Sequence, residues 1–581
     1  MRFNLRKADE EKVNTLIEAG CTSYQAELLA KRGLDTPEKV KHYLEFGPKD
    51  LRDVNTMKDA EEFLSVLEKA IKEGKAITIC GDYDADGIMA TTIFMKGIDS
   101  YIEATGSSSR KVQWFINDRF KEGYGLNEKS IEHLLEKCPD TQLIITCDNG
   151  IKSAAAIRMA LDRGVDVIVS DHHGQSEDEP LPDCPVVCEK RLDEDPNGEW
   201  FCGAELARRL VTELYKRACI TLQHKDLLNS LLAYSGFATI TDSVPMNAAN
   251  HYIAKMGLYA MYKFPDPIWR CMAGVTKIST LDEEVIGFRY GPMINAASRV
   301  TGSVEKVMKA MEASMAGDTN ACMEAVMELS DVNIQRREMT AEDERIALEI
   351  AESTGMATSR CIVVENEHFE PGINGLTASR LVETYHVPVI VLCPSDDPDV
   401  YKGSARSIEG FNIFEALGKC SDLLVGFGGH PMAAGVSCRK ENIPEFRKRM
   451  NILANKAGVT KTDDRDVDFI FKPEEVNEEF INDMKKLAPF GPGFEKPAVG
   501  LQGVVTARMV LRDTHLRYEL KADVSDTESI RVLWWNAAER ESTKLPDPLG
   551  REVCVSGFPS TNIFDGMKTV QFTADDVQFA S

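Results

Sequence analysis

No stretch of the chain approaches the roughly 18–20 uninterrupted apolar residues that cross a bilayer. The opening MRFNLRKADEEKV lacks the apolar core of a secretory signal, so a cytoplasmic protein without membrane contact is the expectation. There is no GxxxxGK[ST] phosphate loop, no GxSxG elbow and no HExxH helix, which argues against ATP-driven unwinding, a serine nucleophile and a zincin site. Solenoid-type repeats and low-complexity tracts are missing too. Paired cysteines are scarce: the fifteen thiols mostly sit inside apolar runs such as ITIC, IITC, CIVV and VIVLC, the habit of free buried thiols in a reducing compartment. The one close pair, Cys184 and Cys188, has no second pair or nearby His and makes a poor zinc site. Positive charge is also short, with 68 Lys and Arg against 93 Asp and Glu and a formal charge of −25. That balance disfavours a broad duplex-binding surface. It leaves room for a narrow basic channel, or for carboxylates gathered around divalent cations.

What is present is organised. At 581 residues the chain exceeds one hydrophobic core, and three or four domains are expected. Residues 1–55 read as short helices. From Glu61 a helix leads into the strand Lys75–Cys80, then a helix-like run Ile88–Ile98, and the alternation repeats through VQWFI, a helix after Asn127, QLIITC, SAAAIRMALDRG and VDVIVS. Apolar strands alternating with helices imply a parallel sheet covered on both faces. Residues 256–350 read as a helical connector, in which the charged run NIQRREMTAEDERIALEIAE fits a solvated helix. A second α/β unit begins at CIVVEN and runs to about 458. After TKTDDRDVDF, short alternating strands suggest a small β-barrel. The reading is an α/β multidomain protein: 1–55 helical, 56–255 a parallel-sheet catalytic domain, 256–350 the connector, 351–458 a second α/β domain, and 459–581 an OB-like barrel.

The first domain's strands end on acids and imidazoles. Lys75–Cys80 runs into Asp82, Asp84 and Asp86; QLIITC into Asp148-Asn149-Gly150; VDVIVS into Asp171-His172-His173. A fourth contribution is expected from Asp242, after the apolar run LLAYSGFATI. In a parallel sheet these ends open on one edge, where α/β folds place ligands. Any single Asp-Gly there would be an ordinary turn or helix cap; several in succession, one as Asp-x-Asp-x-Asp in an extended loop, point to a metal site. Crowded carboxylates must be protonated or neutralised by cations, and with His present and no thiolate cluster Mn²⁺ or Mg²⁺ suits them. Two such ions would activate a water and clamp a phosphate.

GDYDADG, DNG and SDHHG, with Asp242, resemble the signature of the DHH phosphoesterase superfamily. NDRFKEGYGLN, GPMINAASR, PGINGLTASRL, KGSARSIEGF, GFGGHPMAAG and LAPFGPGFEKP extend the resemblance to its RecJ exonuclease family from about residue 75 to 500. The resemblance implies a DHH domain, a DHH-associated domain that grips substrate, an OB-fold, and 5′→3′ hydrolysis of single-stranded DNA in repair and recombination. It implies that Asp84 and Asp148 bind one metal and that Asp86, Asp148, His172 and Asp242 bind a second, with Asp148 bridging. Asp82 would sit beside the metals and His173 against the scissile phosphate. A 5′-phosphate pocket falls on Arg119, Ser404 and Arg406, with Arg299 and His430 facing substrate; the competing reading makes Arg299 and Arg406 interdomain salt bridges. A helicase and a single-strand binding protein are implied partners. The chain departs from the family at Cys80, where many members carry His; a packed, unligated thiol is expected. Asn374 stands where relatives usually have an aliphatic residue. In the barrel, Trp534, Trp535, His515, Arg517 and Tyr518 are candidates for base stacking, with one of the two tryptophans expected in the core. The alternative is a DHH phosphodiesterase for short oligonucleotides or cyclic dinucleotides.

Overall fold

The computed structural model describes residues 3–107, 112–123, 125–177, 179–195, 199–460, 464–535, 537–538, 548–564 and 567–579. Residues 461–463 of the charged stretch expected between the last two domains lie outside them. The chain divides into two compact units: Val54–Asp242 with Tyr259–Thr462, and Met1–Asp53 with Ser243–Leu258 and Asp463–Ser581.

The first unit is built on a five-stranded sheet in the spatial order Gln113–Ile116, Ile77–Gly81, Leu143–Cys147, Asp166–Ser170 and Val186–Val187, with every pairing parallel. The strands Ile77–Gly81 and Leu143–Cys147 are buried along their whole length. Helices cover both faces of such a sheet, which is why these strands read as continuous apolar runs rather than alternating ones. Register then fixes the chemistry. Gly81 pairs with Cys147, and Cys147 with Ser170, so the residues that follow them, Asp82, Asp148 and Asp171, leave three adjacent strands side by side.

Two expected backgrounds change. The helix after the first strand spans Ala85–Thr105, longer than expected, and Asp84 is its N-cap, accepting from the amides of Asp86 at 2.9 Å and Gly87 at 3.1 Å. Asp84 and Asp86 therefore flank a helix start rather than lie in an extended loop, and an acid there suits the positive helix end. The run LLAYSGFATI is not a strand: it is the core of the helix Lys225–Thr241, and Asp242 is the C-cap.

Between the two sheets of this unit the chain is helical, and it includes a π-helical turn, Ile286–Tyr290, and a 35-residue helix, Thr319–Ser353. The charged run on that helix is mostly solvated, with Arg345 pairing Glu342 and Glu349, though Asp343, Ala347 and Ala351 are buried. The second sheet runs in the order Leu424–His430, Ala433–Arg439, Val400–Arg406, Val389–Pro394, Ile362–Glu365. Only the last pairing is parallel, so it is a mixed sheet with its own apolar core.

The other unit holds a six-stranded sheet closed by pairing of Val499–Leu511 with Glu552–Phe564. The N-terminal residues are not helical alone: Phe3–Leu5 is a strand, paired in parallel with Arg465–Val467. Tyr24 packs edge-on against Phe469, Phe471 and Phe480, and buried Asp468 takes both prongs of Arg32 at 2.9 and 2.8 Å. Trp534 and Tyr518 are core residues, whereas Trp535 is 52% exposed, with His515 edge-on at 4.9 Å. Tyr518 is thus no stacking platform. No helix among the described residues is long and apolar enough to cross a membrane.

Candidate metal centre and its arginine neighbour

The turn after Leu143–Cys147 takes an unusual path. Asp148 adopts a left-handed φ of 61°, which Asp tolerates better than most residues. Gly150 follows at φ 118°, and a Cβ there would meet the Thr146 hydroxyl at 2.6 Å. This path places Asp148 Oδ1 3.0 Å from His172 Nε2, with Asp86 Oδ2 at 3.6 Å and Asp242 Oδ2 at 3.7 Å from the same nitrogen. Three groups of ligand atoms converge within 4.8 Å: Asp82, Asp84 and Asp148; Asp86, His172 and Asp242; and Asp148, His172 and His173. One helix start, one helix end and the strand ends thus bring together Asp82, Asp84, Asp86, Asp148, His172, His173 and Asp242.

Electrostatics shows what this arrangement lacks. Burial, then the neighbouring carboxylates, push Asp148 and Asp82 well above the usual carboxylate range. Burial and Asp84 raise Asp86 to about 7, and burial, Asp86 and Asp84 raise Asp242 to about 8. Two carboxylates ~4 Å apart repel by about 4 kcal/mol at an effective dielectric of about 20, so the ring cannot be fully ionised without cations. Among the described residues Asp148 Oδ1 is buried without a hydrogen-bond donor, since the nearby His172 Nε2 carries no proton once Nδ1 donates to Phe201. The two histidines are driven apart. Burial and the charge of His173 lower His172 to about 3; its Nδ1 lies 3.0 Å from the Phe201 carbonyl, which leaves the Nε2 lone pair facing the acids. For His173 burial opposes protonation, but the hydrogen bond to Asp171 and the charges of Asp171, Asp82 and Asp242 prevail and raise it to about 9. In the metal-free protein His172 is therefore neutral, with Nε2 placed to hold a metal, and His173 is held protonated chiefly by Asp171. The residues present fit divalent cations.

The sequence reading missed the parts that hold these ligands. Asp171 accepts from the amides of Ile151, His172 and His173 and lies 2.8 Å from His173 Nδ1; it stood inside the SDHHG block without a role. The segment Phe201–Ala204 opens the helix Gly203–Arg217. Its Phe201 carbonyl orients His172, and the amides of Gly203 and Ala204 donate to the two oxygens of Asp86 at 2.6 and 2.8 Å. A Cβ on Gly203 would meet the Asp148 Cβ at 2.8 Å, so this helix start approaches two candidate ligands, Asp86 and Asp148, at once. Backbone donors leave no side-chain signature, and only the glycine could have flagged them. Cys80 is buried among Phe115, Ile144 and their neighbours, and burial with the charge of Asp82 raises its thiol to about 12. Cys188 donates to the His173 carbonyl.

Beside the acids stands a group of cations. The Arg119 guanidinium lies 5.2 Å over the Tyr83 ring. Arg299 is lowered to about 10 by burial and then by Arg119, Arg336 and Arg406, with Asp84 opposing; Arg406 is lowered by burial and Arg119. Among the described residues none of Arg119, Arg299 and Arg406 forms an ion pair, which removes the salt-bridge reading of the last two. Arg406, Ala433 and His430 lie in one cross-strand row, with His430 exposed. Ser404 shares the face of Arg406 two residues away. A Cβ on Gly375 would collide with the Arg406 guanidinium at 2.6 Å, so the helix Asn374–Tyr385 begins directly against it.

Residues 76–234 match the DHH family, N-terminal domain, 357–456 the DHHA1 domain, and 467–576 the RecJ OB domain. The single-stranded-DNA-specific exonuclease RecJ of Bacillus subtilis is 32% identical over 99% of this chain and 70% of its own length. The chain belongs to the RecJ family. The crystal structure of RecJ in complex with Mn²⁺ from Thermus thermophilus superposes with a TM-score of 0.79 at 25% identity, covering all of this chain and 80% of that one. The Mg²⁺ complex from the same source gives 0.72 at 24% identity, over all of this chain and 79% of that one.

Proposed function

We propose that the protein is a single-stranded-DNA-specific exonuclease that hydrolyses phosphodiester bonds from a 5′ end and releases 5′-mononucleotides. The observation that carries the reading is the convergence of Asp82, Asp84, Asp86, Asp148, His172 and Asp242 beside unpaired arginines. Asp84 and Asp148 would hold one divalent ion and Asp86, Asp148, His172 and Asp242 the other. When bound, such ions supply a water acidified toward neutrality and charge neutralisation at phosphate. The protein's own part is positional. Gly203 and Ala204 hold Asp86, the Phe201 carbonyl fixes the His172 tautomer, and Asp171 keeps His173 protonated against the scissile phosphate. Arg299 and His430 face the strand, and Arg119, Ser404 and Arg406 take the 5′-terminal phosphate, which sets direction. In chain order, residues 1–55 precede the catalytic domain at 56–255, the helical part at 256–350, a substrate-gripping domain at 351–458 and a strand-binding barrel at 459–581. A cytoplasmic role in repair and recombination follows, with a helicase and a single-strand binding protein as partners that open duplex ends.

The test uses Mn²⁺ and two single-stranded oligonucleotides, one labelled at each end. Rapid release of labelled mononucleotide from the 5′ label, with stepwise shortening of the 3′-labelled strand, is expected. Intact long strands alongside hydrolysed two-to-five-nucleotide fragments would replace this reading with that of a short-oligonucleotide phosphodiesterase.

A further inference from the structure

The mixed sheet carries a cavity of about 460 Å³ that starts at Ser404 and extends away from Arg406. Its position follows from register. Lys402, Ser404 and Arg406 alternate onto one face of their strand. Ser437 sits across from Lys402 and Gly435 across from Ser404; Gly426 and Gly428 are their partners on the next strand. A Cβ at Gly426 or Gly428 would meet nothing within 4 Å, so it is the lack of side chains there that keeps the space open. The size lies within the ~300–1,000 Å³ of small-ligand sites.

The lining selects the ligand. In a chain of formal charge −25, the cavity presents Lys402, the hydroxyls of Ser404 and Ser437 and the amide of Asn374, and no carboxylate. Asp343 and Glu370, whose charges act on Cys393, do not line it. Asn374 also opens the helix Asn374–Tyr385, whose first amides have no intrahelical acceptor. The residue is 1% exposed; Nδ2 donates to Cys393 Sγ at 3.1 Å, and among the described residues Oδ1 has no partner. The Cys393 thiol donates to the Lys402 carbonyl at 3.5 Å; after a half-turn of the amide it would turn that single proton to Oδ1 instead, and Asn374 would then offer Nδ2 to the cavity. A cation, hydroxyls, an amide donor and a helix start make an anion site. It adjoins the pocket proposed above for the 5′-terminal phosphate.

We propose that this cavity receives the outer phosphates of a strand that ends in a 5′-triphosphate, so that the enzyme begins on such strands without prior removal of the extra phosphates. The inference rests on the exonuclease reading. The chemistry is that of any other cut: water adds to the phosphorus between the first and second nucleotides, the bond from that phosphorus to the first 3′ oxygen breaks, and this oxygen takes the proton. The first product is then a nucleoside triphosphate, and the strand left behind carries an ordinary 5′-monophosphate.

The test compares single-turnover cleavage of one DNA sequence bearing a 5′-monophosphate or a 5′-triphosphate, with products separated by charge. Release of nucleoside triphosphate from the second strand is expected at a rate within about threefold of the monophosphate strand, a difference below ~1 kcal/mol. Lys402→Met and Asn374→Val should each slow the triphosphate strand about tenfold, the worth of one hydrogen bond to a charged group, and leave the monophosphate strand unchanged. Degradation of the monophosphate strand alone, or equal slowing of both strands by the variants, overturns the proposal; failure on both strands overturns the exonuclease reading with it. Inorganic tripolyphosphate separates a free anion from an attached one. Millimolar competition that slows both strands equally would make this a free-polyphosphate site and overturn the strand-end assignment.

Discussion

The carboxylate ring and the arginine cluster sit in the same compact unit and are assembled by opposite means. The ring is made by backbone register: three strand ends, one helix start and one helix end deliver short side chains that have little freedom to move. The cluster is made by reach, with Arg119 from the loop after a strand, Arg299 from a helix and Arg406 from the second sheet extending into one region. Each side is uncompensated in its own sign: burial and neighbouring carboxylates raise Asp86 and Asp242, while burial and then its cationic neighbours lower Arg299. A wall of acids that needs cations and a wall of cations that needs anions together describe a place for a metal-bound phosphodiester. Removing one wall should therefore abolish chemistry, and removing the other should abolish the choice of strand end.

The largest effect is expected for Asp148→Asn, which keeps the shape and the tolerance for a left-handed backbone. If Asp148 is the shared ligand proposed above, its loss should cost about 4 kcal/mol, or roughly a thousandfold in rate, and calorimetric Mn²⁺ binding should fall with it while circular dichroism stays unchanged. On the opposite wall, Arg406→Met should remove about 1.5–3 kcal/mol of phosphate recognition. It should lower the preference for a 5′-phosphorylated over a 5′-hydroxyl strand roughly tenfold to hundredfold without altering Mn²⁺ affinity; a parallel loss of Mn²⁺ binding would mean that the two walls are not separable. Gly203→Ala tests the hidden support, because its Cβ must push against Asp148. Metal affinity should drop by about 10–100-fold, as for other changes behind metal ligands, with the strand-end preference intact. The smallest effect is on stability. In the metal-free protein Asp86 and Asp242 are raised above their unfolded value of 3.8, to about 7 and about 8. The folded state then binds more protons than the unfolded one, and stability falls as pH rises from about 4 to about 8. Thermal unfolding in chelator should show a loss on the order of 1 kcal/mol or more across that window, and added Mn²⁺ should reverse its sign.

Much of this was legible because the signals were local. Fully buried strands show as apolar runs, and the acids follow them directly, so Asp82, Asp148 and His172 could be placed on one edge. What was not legible depended on length or on distant backbone. LLAYSGFATI is apolar but for Ser235 and Thr239, and so short a run carries no clear period to separate strand from helix, so Asp242, grouped with the strand ends, stands at a helix end instead. Asp84 looked like loop because an N-cap and a turn use the same residue types. The strand Phe3–Leu5 exists only through a partner some 460 residues away. The Phe201 carbonyl and the Gly203 amide act through groups that every residue carries.

The alignment of Gly81, Cys147 and Ser170 also governs where this protein can change its length. Residues inserted at the surface turn around Gly164 alter a connection and leave every ligand where it is. One residue inserted within Leu143–Cys147 turns each following side chain to the opposite face of the sheet and carries Asp148 out of reach of His172. Length drift over generations is thus free in the connections and forbidden in the strands, and the interval between the GDYDADG and DNG blocks can vary while the lengths of the strands that precede them cannot.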